Sequence, residues 1–255
     1  MKTTIFEKIE NSKSVDFGDI LSKSFELYKK VFQEGLMHTL VSLIVVIPFI
    51  LVIYIPLLPM YIDMIQYGGD PYYYGNEPFF LESPVMMIGY LLLIFALSIL
   101  MQVVTMSIYG HFFLALKRAD LGTNEDIGGY FDLLKNHFGT ILMLTLATLG
   151  IALLAALLCY LPILYVMVPL QLILPIFVFN QDLTTGDVIK AAFKLGNKYW
   201  GILFGLIIVG GILASLGMLA CYIGLVLTAF FTYIVIYYFY KDSIGFDEPT
   251  EDISV

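Results

Sequence analysis

His38, His111 and His137 are the only histidines in the chain, and with Cys159 and Cys221 they are the side chains best suited to hold a transition metal. A four-histidine iron site is one histidine out of reach. A facial triad needs two histidines and a carboxylate with open coordination positions. His38 and His111 lie at the same end of two long apolar runs and can meet there, with Glu34 and Asp120 nearby. His137 belongs to a different surface segment. The alternative reading is three hydrogen-bonding histidines near a membrane interface, and on that reading no cofactor is implied. No nucleophile–base pair and no phosphate loop stands at a recognisable spacing. Cys159 and Cys221 either pair in an oxidising compartment or serve as small buried apolar residues.

Polar groups inside apolar runs form a second set of candidates, because an intramembrane polar residue is costly unless it has a function. Gln102, Thr105 and Gln171 fall near the middle of such runs, and Pro169 and Pro175 flank Gln171. Two prolines free backbone carbonyls at mid-depth, which is one way to build a binding site from a broken helix. The other reading is a kinked helix with ordinary interhelical hydrogen bonds. The runs hold no Asp, Glu, Lys or Arg, which argues against a charge-coupled pump or a carboxylate proton relay.

These residues must be positioned by transmembrane helices. Hydrophobic residues make up 60% of the chain and charged residues 13%, against about a quarter charged in soluble domains. A membrane span needs about 20 apolar residues. The runs read as six spans, about 36–59, 85–116, 139–160, 162–179, 201–220 and 222–240. All 13 Lys and Arg lie in 2–30, 117–135, 190–198 and at 241, while the opposite segment 60–84 carries four acids and no base. The positive-inside rule then puts both termini in the cytoplasm. The net charge of −8 excludes a nucleic-acid partner.

One pattern occurs three times. An acid (Asp19, Glu125, Asp187) precedes an aromatic pair seven residues apart (Phe25 and Phe32, Phe131 and Phe138, Phe193 and Trp200). A tyrosine follows 35 residues after each acid (Tyr54, Tyr160, Tyr222). Fixed spacings of this kind mark a repeat. The fold class implied is an all-α membrane protein. Its six transmembrane helices form three repeats of an interfacial helix plus a helical hairpin, in a pseudo-threefold bundle. Residues 1–241 form one membrane domain, with units at about 19–118, 125–181 and 187–241. An acidic cytoplasmic tail follows at 242–255. Each amphipathic segment, such as 187–200, is expected to lie in the headgroup plane. Lys29, Lys30, Lys135, Lys194, Lys198 and Trp200 are then the candidate headgroup contacts.

The stretch 19–32, Asp-Ile-Leu-Ser-Lys-Ser-Phe-Glu-Leu-Tyr-Lys-Lys-Val-Phe, resembles the opening motif of a broad bacterial family. These are polytopic proteins like the membrane domain attached to some glycerophosphoryl diester phosphodiesterases. The weaker copies at 125–138 and 187–200 are similar to that family's internal repetition. In the family the phosphodiesterase chemistry belongs to a separate soluble domain, and only 15 residues follow Tyr240 here. Relatives that stand alone are sometimes labelled carotenoid-cleaving oxygenases, a label these three histidines do not support. The resemblance implies a multi-pass protein of the bacterial inner membrane.

The first functional expectation is a non-enzymatic scaffold or lipid-associated partner with a cytoplasmic collar of amphipathic helices. Its partners would be membrane lipids and other membrane proteins. The second is a small transporter or lipid-handling protein using a polar midplane site at Gln102, Thr105 and Gln171. A membrane enzyme comes third. On this topology, a reporter fused after Lys241 should report a cytoplasmic location and one within 68–77 the opposite side. A C-terminal reporter outside the cytoplasm would overturn the six-span reading.

Overall fold

The structure, a computed structural model, describes residues 4–68, 78, 80, 83–158, 161–219 and 223–246. Among these, the regular elements are all helical: α1 (Ile5–Glu10), α2 (Phe17–Tyr54), α3 (Leu58–Gln66), α4 (Pro84–Leu121), α5 (Asp132–Leu157), α6 (Leu161–Gln171), α7 (Ile173–Phe179), α8 (Thr185–Lys198), α9 (Trp200–Ser215), α10 (Ile223–Thr228) and α11 (Phe231–Ser243). Four helical stretches are long and apolar enough to cross a membrane: Phe17–Gln66, Pro84–Leu121, Asp132–Leu157 and Leu161–Phe179. The α8–α9 pair, bent by 93°, makes up to five if it counts as one span. The hairpin expected over 201–240 is present in shorter pieces: α9 runs into a 3-10 turn at Leu216–Leu219, and α10 is separated from α11. Cys159, Cys221, Tyr160, Tyr222 and the acidic tail from 247 onward lie outside the described residues.

Two backbone breaks fall at positions related by the sequence spacing. His137 (φ −129°, ψ 28°) interrupts α5 and Tyr199 (φ −121°, ψ 27°) separates α8 from α9. The two positions are 62 residues apart, the offset of the sequence match, and each stands two residues before a glycine, Gly139 or Gly201. The first unit differs. The corresponding positions hold Val31 and Gln33, and α2 passes through them as one helix of 38 residues. Three separate surface helices were expected and one, α8, is present. In the first unit no glycine weakens the helix at the bend. In the second, 122–131 is mostly loop before α5 begins.

The helices converge at one end. Along α2 the buried positions Ile20, Ser24, Leu27, Val31, Gly35, His38, Thr39 and Ser42 make one stripe and stop there. Beyond Ser42 the helix exposes Ile44, Ile47, Ile50 and Leu51, and α4 exposes Val85, Leu92 and Phe95 before its buried stretch from Val103. Such apolar flanks suit hydrocarbon. At the converging end α11 is buried on all sides, from Ile234 through Tyr240, as expected of a helix that is apolar all round.

Asp120 holds that end together. Its carboxylate accepts hydrogen bonds from the Tyr237 hydroxyl at 2.8 Å, the Tyr238 hydroxyl at 2.9 Å and the Lys241 ammonium at 2.5 Å. Burial alone would raise the Asp120 pKa, but these donors outweigh it and hold the carboxyl below its ordinary value of 3.8. Close approach recurs between α6 and α8: a Cβ at Gly196 would stand 2.8 Å from the Pro169 Cα.

Two outcomes follow for stability in micelles. Asp120→Asn should cost about 1.5–3 kcal/mol, the range for hydrogen bonds to a charged group. The wild-type advantage should be complete above the ordinary carboxylate value and lost as pH falls through the lower folded value. Equal stability of the two proteins at neutral pH would contradict this. Gly196→Val should lower stability by about 1–3 kcal/mol through overpacking against Pro169, whereas Gly201→Ala, with no atom within 4 Å of the added carbon, should be tolerated.

Candidate functional site

The prolines of α6 and α7 shape the site. Proline cannot donate to the carbonyl four residues earlier. Pro169 therefore leaves the Tyr165 carbonyl without its helical donor, and Pro175 does the same to Gln171. The two carbonyls meet different fates. Tyr165 O accepts a hydrogen bond from the Trp200 indole at 3.1 Å. Gln171 sits at the α6–α7 break, where Leu172 N turns back to Pro169 O at 3.1 Å. Sequence alone expects the prolines to disturb this segment; it does not show that one freed carbonyl is taken by Trp200.

Beside the break lies an open cavity of about 260 Å³ between α4, α5, α6, α7 and α11. Gln102, Thr105, Met106, Tyr109 and Phe113 line it from α4, Thr148 from α5, Leu170 and Gln171 from α6, and Tyr233 from α11. The three midplane residues named from the sequence are thus brought together. Gln102 and Gln171 line the cavity and are exposed, and among the described residues neither side-chain amide has a hydrogen-bond partner in the protein. Thr105 and Thr148 donate back to Met101 O and Leu144 O, each at 2.8 Å, so their oxygens remain available as acceptors. Tyr109 and Tyr233 stack with ring centres 4.2 Å apart and wall off the inner end. The Tyr109 hydroxyl interacts with Thr39 and Ser42 of α2.

A primary amide in hydrocarbon loses several hydrogen bonds, and each unmet polar group costs about 2–7 kcal/mol there. Two such amides facing one recess therefore call for water or a polar group of a bound molecule. The recess supplies amide donors and acceptors, two threonine oxygens and an aromatic wall. That is recognition chemistry for an uncharged polar head on an apolar body. Thr148 and Tyr233 escaped the sequence reading because nothing in the sequence places them beside Gln102 and Gln171.

The expected headgroup residues separate into two groups. Lys29, Lys30 and Lys135 are exposed, the last with Asp132 at 3.6 Å. Lys194 instead reaches Glu10 at 2.5 Å, holding that carboxyl below its ordinary range by hydrogen bonding and charge. Lys198 donates to the carbonyls of Ile9 and Glu10, both at 2.8 Å, and so caps the C-terminus of α1. Trp200 is partly buried, stacks on Phe204 and bonds to α6. The two lysines make protein contacts because α1 folds back over α8, a packing that no spacing in the sequence announces, whereas Trp200 is held by α6 and α9.

The histidines also divide. His38 and His111 meet with ring nitrogens 2.7 Å apart, while His137 packs edge-on against Phe177. Two nitrogens bound to one tetrahedral metal at about 2.0–2.1 Å each would stand roughly 3.3 Å apart, so the pair is not drawn as a ligand pair. Comparison of the chain with protein-family models, with curated proteins and with solved structures finds no match in any of the three.

Proposed function

We propose that this chain is a non-enzymatic, multi-pass protein of the bacterial inner membrane that takes an uncharged amphiphile into the groove between α4, α5 and α6. The observation that carries the reading is the pair of unpartnered amides, Gln102 and Gln171, facing one open recess at mid-helix. This favours the lipid-handling expectation over a purely structural scaffold, since a scaffold has no use for two amides in hydrocarbon. Six spans with both termini in the cytoplasm are part of the proposal, supported by the placement of the basic residues. So is the internal repeat, supported by the matching backbone breaks at His137 and Tyr199. Kinship with membrane domains of the glycerophosphoryl diester phosphodiesterase type fits the same proposal. The exposed Lys29, Lys30 and Lys135 are its surface contacts with anionic lipid.

Native mass spectrometry of the protein in lipid nanodiscs tests the groove. Wild type should retain a bound amphiphile, and Thr148→Trp, which fills the recess, should lose it. Replacing both amides, Gln102→Leu with Gln171→Leu, should weaken binding roughly 25-fold, from about 1 kcal/mol for each of two hydrogen bonds. The same double variant should be no less stable than wild type without ligand, because it removes two unmet polar groups. Equal retention by wild type and Thr148→Trp would refute the groove as the binding site.

A further inference from the structure

His38 and His111 form a row of contacts across the α2–α4 interface. His38 Nδ1 lies 2.7 Å from the Glu34 carbonyl oxygen, His38 Nε2 lies 2.7 Å from His111 Nδ1, and His111 Nε2 lies 3.1 Å from the Gly128 carbonyl oxygen. Both ends of the row are carbonyls, which only accept. Three contacts therefore need three hydrogens. Two neutral imidazoles bring two. Whatever tautomers are chosen, the neutral pair leaves one contact with lone pair facing lone pair. One imidazole and one imidazolium bring three, and then every contact is a hydrogen bond, with the central hydrogen between the rings. His38 is 0% and His111 7% exposed, so solvent does not stand in for the missing hydrogen.

We propose that the His38–His111 pair is a proton-binding site that holds one shared proton, and that this proton ties the 122–131 loop to α4. The charged and titratable groups facing the pair are Glu34 on α2, Arg118 on α4, and Tyr130 and Asp132 at the entry to α5. Arg118 pairs with Glu34 at 2.6 Å. Asp132 pairs in turn with Lys135 at 3.6 Å, so both carboxylates near the pair have cationic partners. The Tyr130 ring lies 4.7 Å from the His38 ring and 4.8 Å from the His111 ring and closes the site from the loop side. The Gly128 contact is the longest of the three, so it is the one that gives way when the third hydrogen leaves. Gly128 has φ +72°, in the left-handed region that a loop residue without a Cβ adopts readily. The proton-site reading is independent of the groove: it stands or falls on hydrogens at two rings.

Ring-nitrogen magnetic resonance of histidine-labelled, full-length protein in nanodiscs tests it, across about pH 5 to 8, where histidine changes charge. His38 and His111 should take up a single proton as one coupled step, with nitrogen–nitrogen coupling across the shared hydrogen. Amide exchange at Gly128, taken as a ratio of wild type to His111→Gln at each pH, should show protection growing as pH falls through that step. Two rings that take up protons independently, or a pair that keeps two hydrogens down to the lowest pH at which the protein stays folded, would overturn the proposal. So would a pH-independent Gly128 ratio, or zinc occupying the two nitrogens in place of the proton. If His111→Gln does not fold, the wild-type titration decides alone.

Discussion

Hydrocarbon offers no hydrogen bonds, so each polar group placed among the helices must find its partner within the protein or bring one in. Polar groups buried by packing at the converging end of the bundle, outside the spans, obey the same rule. Asp120 would be costly there by itself. With Tyr237, Tyr238 and Lys241 all donating to it, it becomes the joint between α4 and α11. Asn180 plays a smaller part of the same kind, donating from one amide to Ile176 O and to the Tyr240 hydroxyl, both at 2.8 Å. Lys23 bridges Asp19 and Asp242 across α2 and the end of α11, with its pKa raised chiefly by the hydrogen bond to Asp19. Most polar side chains at this end work in satisfied groups, buried Thr123 Oγ1 being an exception, and α11 can be buried because the Tyr237, Tyr238 and Tyr240 hydroxyls all have partners.

The same constraint singles out the places where satisfaction is incomplete. Pro169 and Pro175 each leave a backbone carbonyl, of Tyr165 and of Gln171, without its helical donor. Trp200 repairs the first because α9 brings its indole to Tyr165 O. No side chain among the described residues repairs the side-chain deficit at Gln171, and Gln102 across the recess shares it. The histidine pair is a deficit of another kind: its three contacts outnumber the hydrogens of two neutral rings by one. In both places the missing partner is small and mobile, a polar head or water in one and a proton in the other. Chemistry in this protein is therefore sought where its hydrogen bonding does not close.

Much of this was legible from sequence, for reasons that differ by residue. Long apolar runs must be helices in a bilayer, so the four or five helices long and apolar enough to cross a membrane were legible, while the shorter pieces over 201–240 were not. Gln102, Thr105 and Gln171 stood out because amides and hydroxyls are rare in such runs, and they do converge. His38 and His111 were placed at one end of neighbouring runs, and they touch. Their formal neutrality hid what the contact geometry shows, since counting charged residues along a span passes over histidine. Lys194 and Lys198 were assigned to headgroups by amphipathic spacing alone. Whether such a lysine meets lipid or another helix depends on where α1 folds, and α1 at six residues is too short to announce a docking partner. Thr148 and Tyr233 were missed because their role exists only once α5 and α11 stand beside α4.

The straight first unit is what makes the histidine row possible. In the later units the backbone leaves the helical region at His137 and Tyr199. A break at the equivalent Val31 would turn the chain just before Glu34 and His38. The hydrogen bond from Thr39 Oγ1 to Gly35 O at 2.9 Å and the 2.7 Å contact of His38 Nδ1 with Glu34 O both span four residues of unbroken helix. Continuity through Val31 and Gln33 keeps Glu34, His38 and Ser42 on one face, opposite Arg118, His111 and Tyr109 of α4. The bend in the third unit has the complementary effect. It lays α8 across the end of the bundle, where Gly196 sits on Pro169 and the lysines of its last turns reach α1. The unbroken first helix carries the titratable pair, and the bend at Tyr199 closes the end of the fold.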